Sequence, residues 1–194
     1  KSTLFNAITQ AGAEAANYPF ATIDPNVGTV EVPDARLTKI TELIKPKKTI
    51  PTTFEFTDIA GIVKGASKGE GLGNKFLANI REVDAIVHVV RAFDDEDVMR
   101  EQGRESDFVD PIADIDTINL ELILADLESV NKRYARVEKI ARTQKDKDAV
   151  LEFKVLEKIK PVLEAGKSAR TVDFEDDEQK VVKSLFLLTT KPVL

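Results

Sequence analysis

Apolar residues along this chain keep three rhythms, and each marks a different kind of element. Residues 49–56 are rich in Thr, Ile and Phe, a composition that suits a pleated, half-buried strand, and the strand so predicted stops on Asp58. Residues 84–91, Asp-Ala-Ile-Val-His-Val-Val-Arg, form a nearly continuous apolar run. Such a run predicts a buried strand of a parallel sheet. From residue 118 the period lengthens: Leu120, Ile123, Leu124, Leu127, Val130, Tyr134, Val137 and Ala141 recur at spacings of three and four. That is one helical stripe, predicting a helix over residues 118–142. A polar stretch at 143–148 makes a turn, and Ala149, Phe153, Leu156, Ile159 and Leu163 form a second stripe. Two facing stripes with a short polar link predict an antiparallel helical hairpin. These helices either pack on the main core or project from it. The second arrangement is favoured, because the two seams can cover each other while basic residues face water.

The rest of the chain alternates between helical and extended patterns. Residues 2–10 read as a helix, and residues 17–26, with two prolines, as a loop. Residues 29–32 read as a short strand. A helix from Pro33-Asp34 to Ile44 presents Leu37, Ile40, Leu43 and Ile44 as its apolar face, and Pro46 ends it. Residues 74–81 and 175–184 are short helices, and residues 185–188 open another buried strand. The expected architecture is an α/β domain interrupted by the helical hairpin. Its first part spans residues 1–117, the insertion 118–170, and the return 171–194.

Composition narrows this picture. With 194 residues and 42% apolar content, the chain can build one sizeable core with an appendage. The absence of cysteine excludes a disulfide scaffold and thiolate metal sites, and fits a reducing compartment, so a cytoplasmic location is expected. No apolar run approaches the length of a membrane span, and no membrane partner is expected. The chain opens on a helix and stops in what reads as a strand, so it is expected to be part of a longer protein. The net charge of −6 hides an asymmetry: residues 131–170 carry 12 Lys/Arg and 6 Asp/Glu, so that stretch is basic and the remainder strongly acidic. A basic arm on an acidic body suits a polyanionic partner such as RNA, although a solvated helical surface carries similar charge.

Candidate chemistry begins at Asp58. A carboxylate at the carboxyl end of a strand stands where open α/β sheets bind ligands. Gly61 follows three residues later, and the segment after it holds Gly65, Gly69, Gly71 and Gly73, too many glycines to fix one shape alone. Asp-x-x-Gly alone also makes an ordinary turn, but a nucleotide switch needs this combination: the acid reaches a metal, and the glycine amide reaches a terminal phosphate. Lys1-Ser2 heads the first amphipathic helix and matches the tail of the phosphate-loop motif Gly-x-x-x-x-Gly-Lys-Ser/Thr. Amides at a helix N-terminus favour anions, the lysine ammonium meets phosphate oxygens, and the serine hydroxyl ligates Mg²⁺. The only histidine, His88, lies inside the apolar run and reads as structural. The acidic run Asp94-Asp95-Glu96-Asp97 reads as a solvated loop.

Three stretches then point to a family. Lys1-Ser2-Thr3-Leu4-Phe5-Asn6, the run Tyr18-Pro19-Phe20-Ala21-Thr22-Ile23-Asp24-Pro25-Asn26-Val27-Gly28, and Asp58-Ile59-Ala60-Gly61-Ile62-Val63-Lys64-Gly65-Ala66, together with the helical insertion, resemble the YchF (Obg-like ATPase) family. The resemblance covers essentially the whole chain. It implies a P-loop NTPase (Ras-like G-domain) core with an inserted antiparallel coiled-coil hairpin. It implies that Lys1 contacts the β- and γ-phosphates, that Ser2 ligates Mg²⁺ and that Thr3 lies beside the α-phosphate. Thr22 matches the first-switch threonine that closes on the metal and γ-phosphate. Asp58 matches the acid that holds the metal, usually through water, and Gly61 offers its amide to the γ-phosphate. Ras-like enzymes carry a water-orienting glutamine after this glycine. Here Ile62 stands there, so either intrinsic hydrolysis is slow or the attacking water is positioned by backbone, by a monovalent cation such as K⁺, or by a partner. Some relatives carry a histidine near Met99-Arg100, where this chain has Arg100.

The function implied is an ATP-hydrolysing switch acting on the ribosome or another RNA-containing assembly, with no DNA specificity. ATP preference comes from the resemblance alone. Arg133, Arg136, Lys139 and Arg142 on the helical arm are the expected partner-binding residues. The alternatives are an Obg-type GTPase acting on ribosomes and a non-catalytic scaffold whose helical arm binds a partner.

Overall fold

A computed structural model describes residues 1–10, 25–59, 72–94, 109–143 and 146–194. These fall into two compact units, one holding residues 1–10 and 25–59 and the other the remainder.

The first unit is a β-hairpin with two helices. Its elements are α1 (Ser2–Thr9), β1 (Asn26–Glu31), α2 (Ala35–Ile44) and β2 (Thr53–Asp58). The strands are antiparallel, with Asn26 opposite Asp58, Gly28 opposite Phe56 and Glu31 opposite Thr53. The strand expected from residue 49 starts only at Thr53, because Pro51 has no amide to give a ladder. Beyond β1 the pairing continues by one bond, from the Val32 amide to the Thr52 carbonyl at 2.8 Å. α1 packs on the hairpin and buries Phe5. It fits closely: a Cβ on Gly28 would stand 2.6 Å from Thr9 Cβ, so only glycine allows this approach. α2 starts where Asp34 caps the Arg36 amide at 2.8 Å, and it ends at Lys45 in the left-handed region, φ 48°. Its expected apolar face is present but not covered by any described element, with Leu43 76% and Ile44 70% exposed.

The second unit is built on two long helices. It comprises α3 (Leu72–Glu82), α4 (Pro111–Ala141), α5 (Lys147–Glu164), α6 (Asp176–Ser184) and 3-10 turns at Ala169–Thr171 and Leu188–Thr190. α4 begins at Pro111 rather than at residue 118. Asp110 accepts hydrogen bonds from the Ile112 and Ala113 amides, and proline at the first helical position needs no donor there. Asp146 caps α5 in the same way, and Gly166 follows its end with φ 70°. α4 and α5 pack on each other through Ile123, Val130, Val137, Ala141, Ala149, Val155, Leu156, Ile159 and Leu163. Ala169 and Leu187 belong to the same core, with Val181, Val182 and Leu185 packed against it. The two seams therefore do not close on each other alone, and the returning chain completes them.

Two expected strands differ from the structure. Residues 84–91 form a single parallel bridge, Ile86 to Val193, rather than a strand. It is framed by Ile86 amide to Pro192 carbonyl at 2.9 Å, Leu194 amide to Ile86 carbonyl at 3.0 Å and His88 amide to Leu194 carbonyl at 2.8 Å. Val87 and Val89 are 54% and 45% exposed, because the run has a partner on one side only among the described residues. Residues 185–188 form no strand either. Phe186 sits at φ 50°, and the amides of Leu188 and Thr189 turn to the buried carboxylate of Asp126 instead of a ladder, at 2.9 and 2.7 Å.

Candidate functional site

The site lies where α1 begins, against the end of β2. Lys1 occupies the N-cap of α1 but gives no side-chain hydrogen bond to the helix, so the first-turn amides have no side-chain cap. Four amide donors at such an end lack intrahelical partners and carry the positive end of the helix dipole. Asp58, the last residue of β2, is only 5% exposed. Its Oδ2 accepts a hydrogen bond from Ser2 Oγ at 2.6 Å. Its Oδ1 is buried, makes no hydrogen bond among the described residues, and stands 3.2 Å from Lys1 Nζ. Lys1 also donates to the Ile59 carbonyl. Its side chain is 39% exposed, so its ammonium is within reach of a ligand in solvent. Thr3 is exposed on the first turn of α1.

Of the residues expected at the site, Lys1, Ser2 and Asp58 come together, and Thr3 lies on the same helical turn as Ser2. Thr22, Gly61, Ile62 and Arg100 lie outside the described residues, as do Asp95, Glu96 and Asp97. The donors present fit Mg²⁺. A serine hydroxyl and a carboxylate are hard oxygen ligands, and Asp58 Oδ1, buried without a hydrogen bond among the described residues, is an acceptor that a metal-bound water would satisfy. Among the described residues no group of three or more ligating side chains could hold a metal. Mg²⁺ does not need one, since it takes one or two protein ligands and completes its shell with phosphates and water.

A match to a family model described as "50S ribosome-binding GTPase" covers residues 1–158. The chain belongs to this 50S ribosome-binding GTPase family. Within it, the chain is a member of the YchF branch. It is 69% identical over all 194 residues to the ribosome-binding ATPase YchF of Bacillus subtilis (strain 168), covering 52% of that protein. To the ribosome-binding ATPase YchF of Escherichia coli O157:H7 it is 52% identical, again covering the whole chain and 52% of the relative. The solved structure of the Schizosaccharomyces pombe YchF GTPase superposes with a TM-score of 0.73 at 43% identity, covering 100% of this chain and 52% of that one. The family member described here thus has a P-loop GTPase fold and spans about half the length of the curated relatives it matches.

In this ribosome-binding GTPase family member the four basic residues expected to meet a partner divide into two pairs. Arg133 forms a two-pronged ion pair with Glu152 of α5, and Arg142 pairs with Glu138 at 2.5 Å. Each carboxylate holds its guanidinium's pKa above the usual arginine value. Arg136 and Lys139 are exposed and form no ion pair among the described residues. Two features are invisible to sequence pattern. Asn26, inside the Tyr18–Gly28 motif, stands opposite Asp58. Asp126, at a helical position with no motif to mark it, is fully buried. His88 belongs to the parallel bridge, and burial lowers its pKa against the pull of Asp114.

Proposed function

We propose that this chain is the nucleotide-binding core of a ribosome-associated switch that binds and hydrolyses ATP. The observation that carries the reading is the convergence of Ser2 and Lys1 on the buried carboxylate of Asp58, 56 residues away from Ser2, at a helix end without a side-chain cap. The name of the bacterial relatives, ribosome-binding ATPase, supports the same reading.

In this proposal the α1 amides and Lys1 take the β- and γ-phosphate oxygens, and Thr3 flanks the α-phosphate. Ser2 and Asp58 hold Mg²⁺, which supplies charge neutralisation on the phosphates. Thr22 and the Gly61 amide close on the γ-phosphate and release after hydrolysis, an order–disorder switch. Ile62 gives the attacking water no side-chain partner, so backbone, K⁺ or the ribosome positions it. Residues 118–170 form the inserted arm between core parts 1–117 and 171–194, and its basic face meets ribosomal RNA in the cytoplasm. A second reading, with GTP as substrate, is favoured by the family description and by the name of the fission-yeast protein, both of which say GTPase.

Single-turnover phosphate release by the full-length protein tests the proposal. Asp58→Asn should lower release about 10-fold or more, as loss of a metal-positioning group does. Equal release by both proteins removes hydrolysis at this site and leaves the scaffold reading. GTP displacing bound ATP at much lower concentration gives the second reading its substrate.

A further inference from the structure

We propose that Asn26 is a further ligand-contacting residue of this site, donating from Nδ2 to an oxygen of the bound Mg²⁺–nucleotide; this rests on the proposed nucleotide site. Asn26 opens β1 and is directly opposite Asp58 in the antiparallel register. Residues so opposed project onto the same face, with Cβ atoms about 5 Å apart. α1 covers that face, since Ser2 reaches Asp58 and Thr9 lies against Gly28, two residues on from Asn26. The Asn26 carboxamide therefore lies on the α1 side of the hairpin, level with the metal-binding carboxylate.

Its Nδ2 is buried and has no hydrogen-bond partner among the described residues. Buried polar groups are nearly always paired, so an unpaired one in a native fold asks for an explanation. Here the unpaired donor faces a strand position whose own carboxylate oxygen, Asp58 Oδ1, lacks a hydrogen bond among the described residues and has the Lys1 ammonium beside it, at 3.2 Å. A nucleotide with its metal supplies both missing partners: an oxygen to receive the amide hydrogen and a metal-bound water to donate to the carboxylate. The carboxamide also suits the place chemically. It donates without adding a negative charge that would repel phosphates, or a positive one that would compete with the metal.

The two sources of that oxygen, a phosphate or a metal-bound water, share one acceptor chemistry and separate experimentally. Binding of a fluorescent ATP analogue to the full-length protein is measured with Mg²⁺ and with EDTA, beside thermal unfolding of the nucleotide-free protein. Asn26→Ala is expected to weaken binding about 10-fold. It should leave the nucleotide-free Tm unchanged or raised, because an unsatisfied buried donor has been removed. Loss in both arms identifies a phosphate oxygen, and loss in the Mg²⁺ arm alone a metal-bound water. Asn26→Asp, with the same shape, is expected to weaken binding in EDTA at least as much. Unchanged affinity in both arms overturns the proposal. So does a fall of several degrees in the nucleotide-free Tm, which would make Asn26 a structural residue. If the unmutated protein binds neither ATP nor GTP analogue, the nucleotide-site reading itself falls; if it binds and Asn26→Ala binds equally, only the role of Asn26 falls.

Discussion

Two buried aspartates show how much the surroundings of a residue decide its role. Asp58 ends a strand with one oxygen bonded to Ser2 and the other without a hydrogen bond among the described residues, facing the Lys1 ammonium at 3.2 Å. Asp126 is satisfied on both oxygens: Oδ1 takes the Leu188 amide at 2.9 Å, and Oδ2 takes the Thr189 amide and hydroxyl at 2.7 Å each. Burial raises the Asp126 pKa, against those hydrogen bonds and Arg81 at 3.9 Å. Asp58 has the marks of a site, and Asp126 those of a fastener for the backbone at 188–189. Asp126→Ala should therefore strand two amides and lower stability by about 2–4 kcal/mol. The urea midpoint should fall with an unchanged m-value. Asp58 was legible because its strand-end position and Gly61 form a pattern. Asp126 was not, because helical spacing alone says nothing about which distant backbone will lie beside a polar position.

Among the elements, α6 depends most on a single charge. Glu175 and Glu178 form a capping box at its start. Glu178 also accepts from Lys158 of α5 at 2.6 Å and faces Lys154 at 3.1 Å. The Lys158 hydrogen bond, then the Glu175 amide, hold its carboxyl pKa at about 2, below the usual 4.5. Because the folded pKa is depressed, the stabilisation is complete above about pH 4.5 and is lost as pH falls through about 2. Acid titration followed by circular dichroism should show this loss, and Glu178→Gln should flatten that part of the curve while lowering stability at neutral pH. The helices were readable from their period, although the Asp110 cap that starts α4 seven residues before the expected position was not. The run at 84–91 reads as a buried strand but makes a single bridge, since apolar content cannot say how many strands will flank it, and Val87 and Val89 remain about half exposed.

For the molecule as a whole, the sequence shows a basic stretch at 131–170 inside an acidic chain. The structure redistributes that charge. Arg133 and Arg142 are engaged by Glu152 and Glu138, while Arg136 and Lys139 face solvent. Neutralising Arg136 and Lys139 should reduce the salt slope of ribosome or RNA association by about 2, one unit for each phosphate no longer neutralised. Neutralising Arg133 and Arg142 should act on stability, with little change in slope. Equal slopes for both pairs would mean that the arm surface is merely solvated.

The sequence by itself determined that the helices exist and where their apolar stripes lie, the strand ending at Asp58, and the motifs that carry the family, because these depend on periodicity and on chemistry between near neighbours; it did not mark the start of α4 at Pro111. Only the tertiary structure decided which polar groups are buried, that Arg133 is neutralised from the neighbouring helix, and that Asn26 stands across from Asp58. Those outcomes depend on meetings between residues 19 to 63 positions apart, and one-dimensional spacing does not encode them.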